Sequence, residues 1–392
     1  MTPPRLAAAL FVLALLPRAG AVIFASRAPV LSERVVAADS RKVYLPLAAN
    51  VNAGLGFILV VDPTAPLTIP PVYPLWLASL HSLFGPPGPL AVGLLQALLR
   101  ALAVVALHRL ASRFLPPPAA LAAAIAYALD PWEAFWTPYV LKESVAVPLL
   151  IVALAAWYDA LAARSARAAA AAGAAMAVAT LAWFGAALLA AWSLRRLWTH
   201  GSRRLTAAYL GAALLVGLGW AWIAIPAVPP QVWPQVWERV VLKFAGRPFD
   251  PAAPTAGYPP EKADYRVAAD LRNLGQGDTK ERVQRLVDPV PENVGRATVN
   301  LWRPVHAGSS RLTFVLFGIP YLALLGLALA GLVLARRERR DLGRLPSLLL
   351  LLVVALSLMS GGIRQRQYLA PLLALPAGLT LVRLAAPRRP VV

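Results

Sequence analysis

The chain contains no cysteine, which excludes disulfides and thiolate metal sites. Histidine is sparse: His81, His108, His200 and His306 stand far apart, and none belongs to a helical His-x-x-x-His metal motif. Charge is scarce as well. Only 14% of the 392 residues are charged, where a soluble domain carries about a quarter. Acids are the scarcest, 18 Asp and Glu against 38 Lys and Arg.

What fills the chain instead is apolar: 59% hydrophobic residues and a mean hydropathy of +0.63. That composition is the mark of an integral membrane protein. The net charge of +20 would point to nucleic acid in a soluble protein. Here the arginines cluster between apolar spans, where they set topology and meet anionic lipid headgroups, so a nucleic-acid partner is not expected.

A membrane helix needs roughly 20 mainly apolar residues. Such windows occur at Leu6 to Phe24, Leu90 to about Leu110, Ala119 to Leu129, Leu141 to Tyr158, Leu205 to Ala227, Leu312 to Ala335, Leu345 to Ser360 and about Leu369 to Leu384. The stretch "VYPLWLASLHSLF", 72–84, is too short to cross and reads as an interfacial or partly re-entrant helix. Ala168 to Trp198 reads as two short helices turning near "AWFGA", 182–186, because a single crossing would strand Arg195, Arg196, Arg203 and Arg204 on the wrong side. The reading gives about ten spans with both termini inside, and the Arg-rich turns then fall on the cytoplasmic side. Loops 25–72 and 227–311 and the aromatic turn 130–140 fall outside. Along the chain this divides a transmembrane module, 1–226, from an extracytoplasmic loop region, 227–311, and C-terminal helices, 312–392.

Several polar residues break the apolar pattern. Arg18 is an ionisable residue within the first span, which suits a functional role or snorkelling to the outer interface. Gln96 and Arg100 are four apart and share a helix face, continued by Val104 and His108. A mid-span charge such as Arg100 faces a cavity or pairs with an acid. Lys142 and Glu143 enter a span from its outer end. "GGIRQRQY" places Arg364 and Arg366 outside, against the positive-inside trend, where two guanidinium groups suit a phosphate or pyrophosphate headgroup. The outer loops thus offer Asp39, Asp130, Glu133, Lys142, Glu143, Arg364 and Arg366 as one charged cluster on a single membrane face.

The first outer loop reads "DSRKVYLPLA", then "NAGLGF", then "PPVYPLWLASLHSLFG", and the last span opens on "RQRQYLAP". In that order, these motifs resemble the GT-C membrane glycosyltransferases, in particular a bacterial branch related to protein O-mannosyltransferases and aminoarabinose transferase. The resemblance covers most of the first 200 residues and the last thirty. It implies an all-α membrane protein, a GT-C-type bundle with interfacial helices in the first outer loop and one larger outer loop. It also implies inverting transfer from a polyprenyl-phosphate sugar to an acceptor hydroxyl at the outer face. Asp39 matches the family's catalytic acid, as general base. The leaving phosphate needs cations, for which Lys142, Arg364, Arg366 and Arg100 are the candidates, with Glu143 and Tyr368 beside them. Tyr44, Gly54, Gly56, Pro70, Pro71 and Tyr73 frame the loop. Eukaryotic protein O-mannosyltransferases carry Asp-Glu where this chain has "DS", which leaves sugar and acceptor open.

The implied partners are a polyprenyl-phosphate-linked sugar and membrane lipids, and the implied location is the bacterial plasma membrane with the site facing outward. No cofactor is required by this reading. A divalent cation stays open, held by Asp39 with Asp130 or Glu133. The alternatives are a transporter or flippase using Arg18 and Arg100 as a substrate path, and an O-antigen ligase or polymerase using His306.

Overall fold

The computed structural model describes residues 3–28, 40–59, 65–85, 88–200, 202–233, 236, 311–337, 349, 353 and 367–385. The chain is a multi-pass membrane protein. Among the described residues five helices are long and apolar enough to cross a bilayer: Pro3–Arg27, Pro89–Ala111, Glu143–Ala163, Arg203–Ala224 and Arg311–Arg336. The expected span at Leu345 to Ser360 and nearly all of the expected loop 227–311 lie outside the described residues.

In chain order the helices are α1 (Pro3–Arg27), α2 (Leu45–Asn52), α3 (Val72–Phe84), α4 (Pro89–Ala111), α5 (Pro117–Ala128) and α6 (Pro131–Trp136). They continue as α7 (Glu143–Ala163), α8 (Ala166–Ala182), α9 (Ala186–His200), α10 (Arg203–Ala224), α11 (Ile319–Arg337) and α12 (Ala370–Ala385). Prolines mark the starts of α2, α4, α5 and α6. The first turn of a helix lacks partners for its N–H groups, so proline costs nothing there. Asp130 caps α6 by accepting from the Trp132 amide at 2.9 Å, and Ser202 caps α10 by accepting from the Leu205 amide at 3.3 Å.

Small residues hold the bundle together. Ala119, Ala120, Ala123, Ala124 and Ala128 of α5 are fully buried, and Gly378 of α12 packs against them so closely that a Cβ would overlap the Ala119 carbonyl. Gly331 of α11 meets the Pro376 carbonyl of α12 in the same way, and Gly173 of α8 meets the Tyr209 carbonyl of α10. Between membrane helices no hydrophobic drive distinguishes protein from lipid, so close backbone approach over Gly and Ala supplies the packing. The C-terminal helix is thereby seated on α5.

The 168–198 region forms two helices, as the arginine positions require. The break falls at Trp183, which is extended (φ −154°, ψ 109°). α9 then lies along α7 and α10: the Trp157 indole donates to the Ser193 carbonyl at 3.3 Å, and the Tyr209 hydroxyl to the Ala190 carbonyl at 3.5 Å.

Candidate functional site

α5 has only 12 residues, about 18 Å at ~1.5 Å per residue, against a hydrocarbon core of ~30 Å. It cannot cross alone. The segment 129–142, whose residues 130–140 were read from sequence as an aromatic loop, instead carries the short helix α6 and leads into the first turn of α7. Backbone that forms no regular helix needs partners for its polar groups within the protein. Side chains from three other segments supply them, at the end of α5 and within the turn.

From α1, the Arg18 guanidinium donates to the carbonyls of Tyr127 at 3.1 Å and Ala128 at 2.7 Å, the frayed end of α5, and to Ala14 at 2.9 Å. Its charge complements the negative end of that helix. From α4, the Gln96 amide donates to the Thr137 and Tyr139 carbonyls, both at 2.9 Å. From the first loop, the buried Ser40 hydroxyl donates to the Val140 carbonyl. Thr137 closes α6 by donating its hydroxyl to the Glu133 carbonyl at 2.6 Å. Arg18 is fully buried, so it does not snorkel.

One turn along α4 from Gln96, Arg100 lies at the centre of a buried polar cluster. Its Nη1 pairs with Glu133 Oε2, and its Nη2 donates to Gln367 Oε1 and to Ser144 Oγ at 3.1 Å. The Tyr127 hydroxyl reaches the same Glu133 oxygen at 3.4 Å. Arg18, Arg100, Glu133 and Glu143 are all fully buried, two cations and two anions, and of these Arg100 and Glu133 form an ion pair. Glu143 sits in the first turn of α7, where the helix dipole favours an anion. Lys142 precedes it, half-buried.

The first-loop frame packs on this face. The Tyr73 hydroxyl donates to Gln96 Oε1 at 2.8 Å, which locks the amide so that its nitrogen points at the 137–139 backbone. Tyr73 also meets Tyr44 edge-on at 5.2 Å and stacks on Trp76 at 5.6 Å. Burial pushes its hydroxyl well above the usual phenol range, and Tyr44 and Glu143 add to the shift, so it stays a donor. Pro70 and Pro71 are buried ahead of α3. Gly54 and Gly56 have φ of 73° and 84° with open space where a Cβ would point, so backbone conformation selects glycine there rather than crowding.

The structure therefore brings Arg100, Lys142, Glu143, Tyr44 and Tyr73 to one region. Tyr368 is buried there too and stacks on Trp183 with centroids 4.3 Å apart. Asp39, Arg364, Arg366 and His306 lie outside the described residues. The sequence reading placed Glu133 in the outer charged cluster, without its partner Arg100, and passed over Gln367 and Ser144. Among the described residues no group of three His, Asp or Glu could hold a metal ion, and Glu133 is engaged by Arg100.

Residues 68–228, from the proline pair through α10, match the family model of dolichyl-phosphate-mannose-protein mannosyltransferases. No curated protein matches the sequence. Two solved structures of the Archaeoglobus fulgidus oligosaccharyltransferase share the fold. The apo form aligns with a TM-score of 0.56 at 17% identity. The AglB structure in complex with an inhibitory peptide and a dolichol-phosphate aligns at 0.53 and 15%. Each alignment covers 96% of this chain and 50% of the other, so the chain spans half the length of these proteins, and the likeness is one of fold.

Proposed function

We propose that this chain, which has the fold of the GT-C membrane glycosyltransferases, transfers a sugar from a polyprenyl phosphate to an acceptor hydroxyl. The reaction inverts the anomeric centre and takes place at the outer face of a bacterial plasma membrane. One observation carries the reading. Ser40, which follows Asp39 in the chain, is bound to Val140, two residues before Lys142 and Glu143. The Ser40 contact therefore ties the first loop, at the residue that adjoins Asp39 in sequence, to the segment that leads into α7 with Lys142 and Glu143. The dolichol-phosphate bound by the archaeal relative and the lipid-phosphate mannose in the matched family's description support the donor class.

In this mechanism Asp39 takes the acceptor hydroxyl proton as that oxygen bonds to the anomeric carbon. The bond from that carbon to the phosphate oxygen breaks through an oxocarbenium-like transition state. Polyprenyl phosphate leaves with its charge met by Lys142, Arg364 and Arg366. Arg100 has its nitrogens committed to Glu133, Gln367 and Ser144, and its role is to hold these segments together. The transporter reading relied on Arg18 and Arg100 as a substrate path; the Arg18 guanidinium is engaged by the Tyr127 and Ala128 carbonyls at the end of α5, and that of Arg100 by the side chains of Glu133, Ser144 and Gln367.

The test is Asp39→Asn in the full chain, reconstituted with a polyprenyl-phosphate sugar. Loss of transfer with donor binding retained is the expected result. Transfer at the wild-type rate would remove Asp39 from the mechanism.

A further inference from the structure

The α8–α9 hairpin takes no part in the proposed reaction, yet its tip reaches the buried cluster. Trp183, at the break, is 2% exposed. Its indole stacks on Tyr368 with 24° between the ring planes. Gly185 lies against the other side of the turn: a Cβ there would overlap the indole ring atoms, so the tip closes over Trp183 only with glycine at that position. The turn satisfies its own backbone, with the Ala186 amide donating to the Trp183 carbonyl at 2.9 Å and the Ala187 amide to the Phe184 carbonyl at 3.0 Å. A turn at membrane depth needs that internal pairing, and it leaves the indole free to serve as a contact surface.

Tyr368 follows Gln367, whose side chain accepts from Arg100. Arg100 also holds Glu133 and, through Ser144, the first turn of α7 that begins with Glu143. The contacts thus run without interruption from the hairpin tip to the Lys142–Glu143 step: Trp183 to Tyr368, Gln367 to Arg100, Arg100 to Ser144. We infer that the tip of the α8–α9 hairpin is a positioning element for lipid-phosphate binding, with Trp183 fixing Tyr368 and, through it, the chain that directly follows Arg366. The inference rests on the proposed function. Trp183 acts through Tyr368 and touches no reacting atom, so its loss weakens donor binding and leaves the chemical step intact.

The experiment uses the full chain in lipid nanodiscs and compares Trp183→Leu, Trp183→Phe and Gly185→Ala with wild type. Donor KM, acceptor KM and kcat are measured with a polyprenyl-phosphate sugar, and Kd with polyprenyl phosphate carrying no sugar. Trp183→Leu and Gly185→Ala raise donor KM and the Kd by roughly three- to tenfold, the range of one aromatic contact. In both variants kcat and acceptor KM stay within about twofold of wild type. Trp183→Phe keeps the stack and stays near wild type. A merely structural role would lower the yield of active protein with both donor constants unchanged, and that outcome overturns the inference while the proposed function stands. Wild-type protein that fails to bind polyprenyl phosphate overturns the proposed function and the inference with it.

Discussion

Arg100 Nη1 and Glu133 Oε2 form an ion pair in which both side chains are fully buried. The pair joins the middle of α4 to the short helix α6, thirty-three residues further along the chain. A buried pair is weak as a net source of stability, but removing one partner strands the other charge, at a cost of about 3–5 kcal/mol. Arg100→Met and Glu133→Gln should each lower the thermal unfolding midpoint in detergent. The double variant Arg100→Met/Glu133→Leu should recover much of that loss, because no charge is left alone. Sugar transfer should not recover with it, since Gln367 and Ser144 remain untethered. A double variant no more stable than the worse single would mean that the pair holds the fold by something other than charge compensation.

Arg18 provides a separate test of the same segment. Its guanidinium donates to the Tyr127 and Ala128 carbonyls at the end of α5, and the Tyr127 carbonyl also accepts from the Asp130 amide at 3.4 Å. Arg18→Met leaves the Ala128 carbonyl without that donor, at about 1–3 kcal/mol for an unsatisfied buried group, while the Tyr127 carbonyl keeps the Asp130 amide. Arg18→Lys keeps the charge but loses the planar fork, so it should rescue only part of the loss. Limited proteolysis between 129 and 142 reads the outcome directly: cleavage should speed up in Arg18→Met, more than in Arg18→Lys. Equal protection in all three proteins would remove Arg18 as the cap.

These two arginines show what could be read from the sequence and what could not. The helices were legible because each span is an apolar run punctuated by proline, glycine or arginine, and a helix too short to cross appeared at 72–84. The break in the 168–198 region was legible because four arginines had to return to one side. The Gln96–Arg100 face was legible from its spacing. Its partners were not, because Glu133 lies on a six-residue helix whose period is too short to show a face, and Gln367 is far along the chain. Burial of a carboxylate depends on which helix lies across from it, and no local pattern encodes that.

Glycine positions separate packing from conformation. Gly331 and Gly378 lie where a Cβ would strike a backbone carbonyl of the neighbouring helix, whereas Gly211 and Gly217 on α10 have nothing within 4 Å. Gly331→Ala and Gly378→Ala should force α11 or α5 away from α12 and cut the yield of folded protein. Gly211→Ala and Gly217→Ala should be neutral or stabilising, by up to about 1 kcal/mol from helix propensity. Fluorescence-detected size exclusion against temperature would compare all four. Loss of folded protein in the α10 pair would mean that this face is covered by a partner.

Gly54 and Gly56 test the first loop in the opposite way. Both have positive φ, 73° and 84°, and neither has an atom within 4 Å of a built Cβ. Any cost of substitution is therefore conformational and should follow the residue's tolerance of the left-handed region. Asn enters that region several-fold more readily than other side chains, and β-branched residues scarcely do. Gly54→Asn and Gly56→Asn should unfold near the wild-type temperature, while Gly54→Val and Gly56→Val should lose about 1–2 kcal/mol each. Because the loop leads from the Ser40 anchor to the Tyr73–Gln96 contact, the valine variants should also raise donor KM. Asn variants as damaged as the Val variants would show that the space beside these glycines is needed, as it would be for a ligand lying against the backbone.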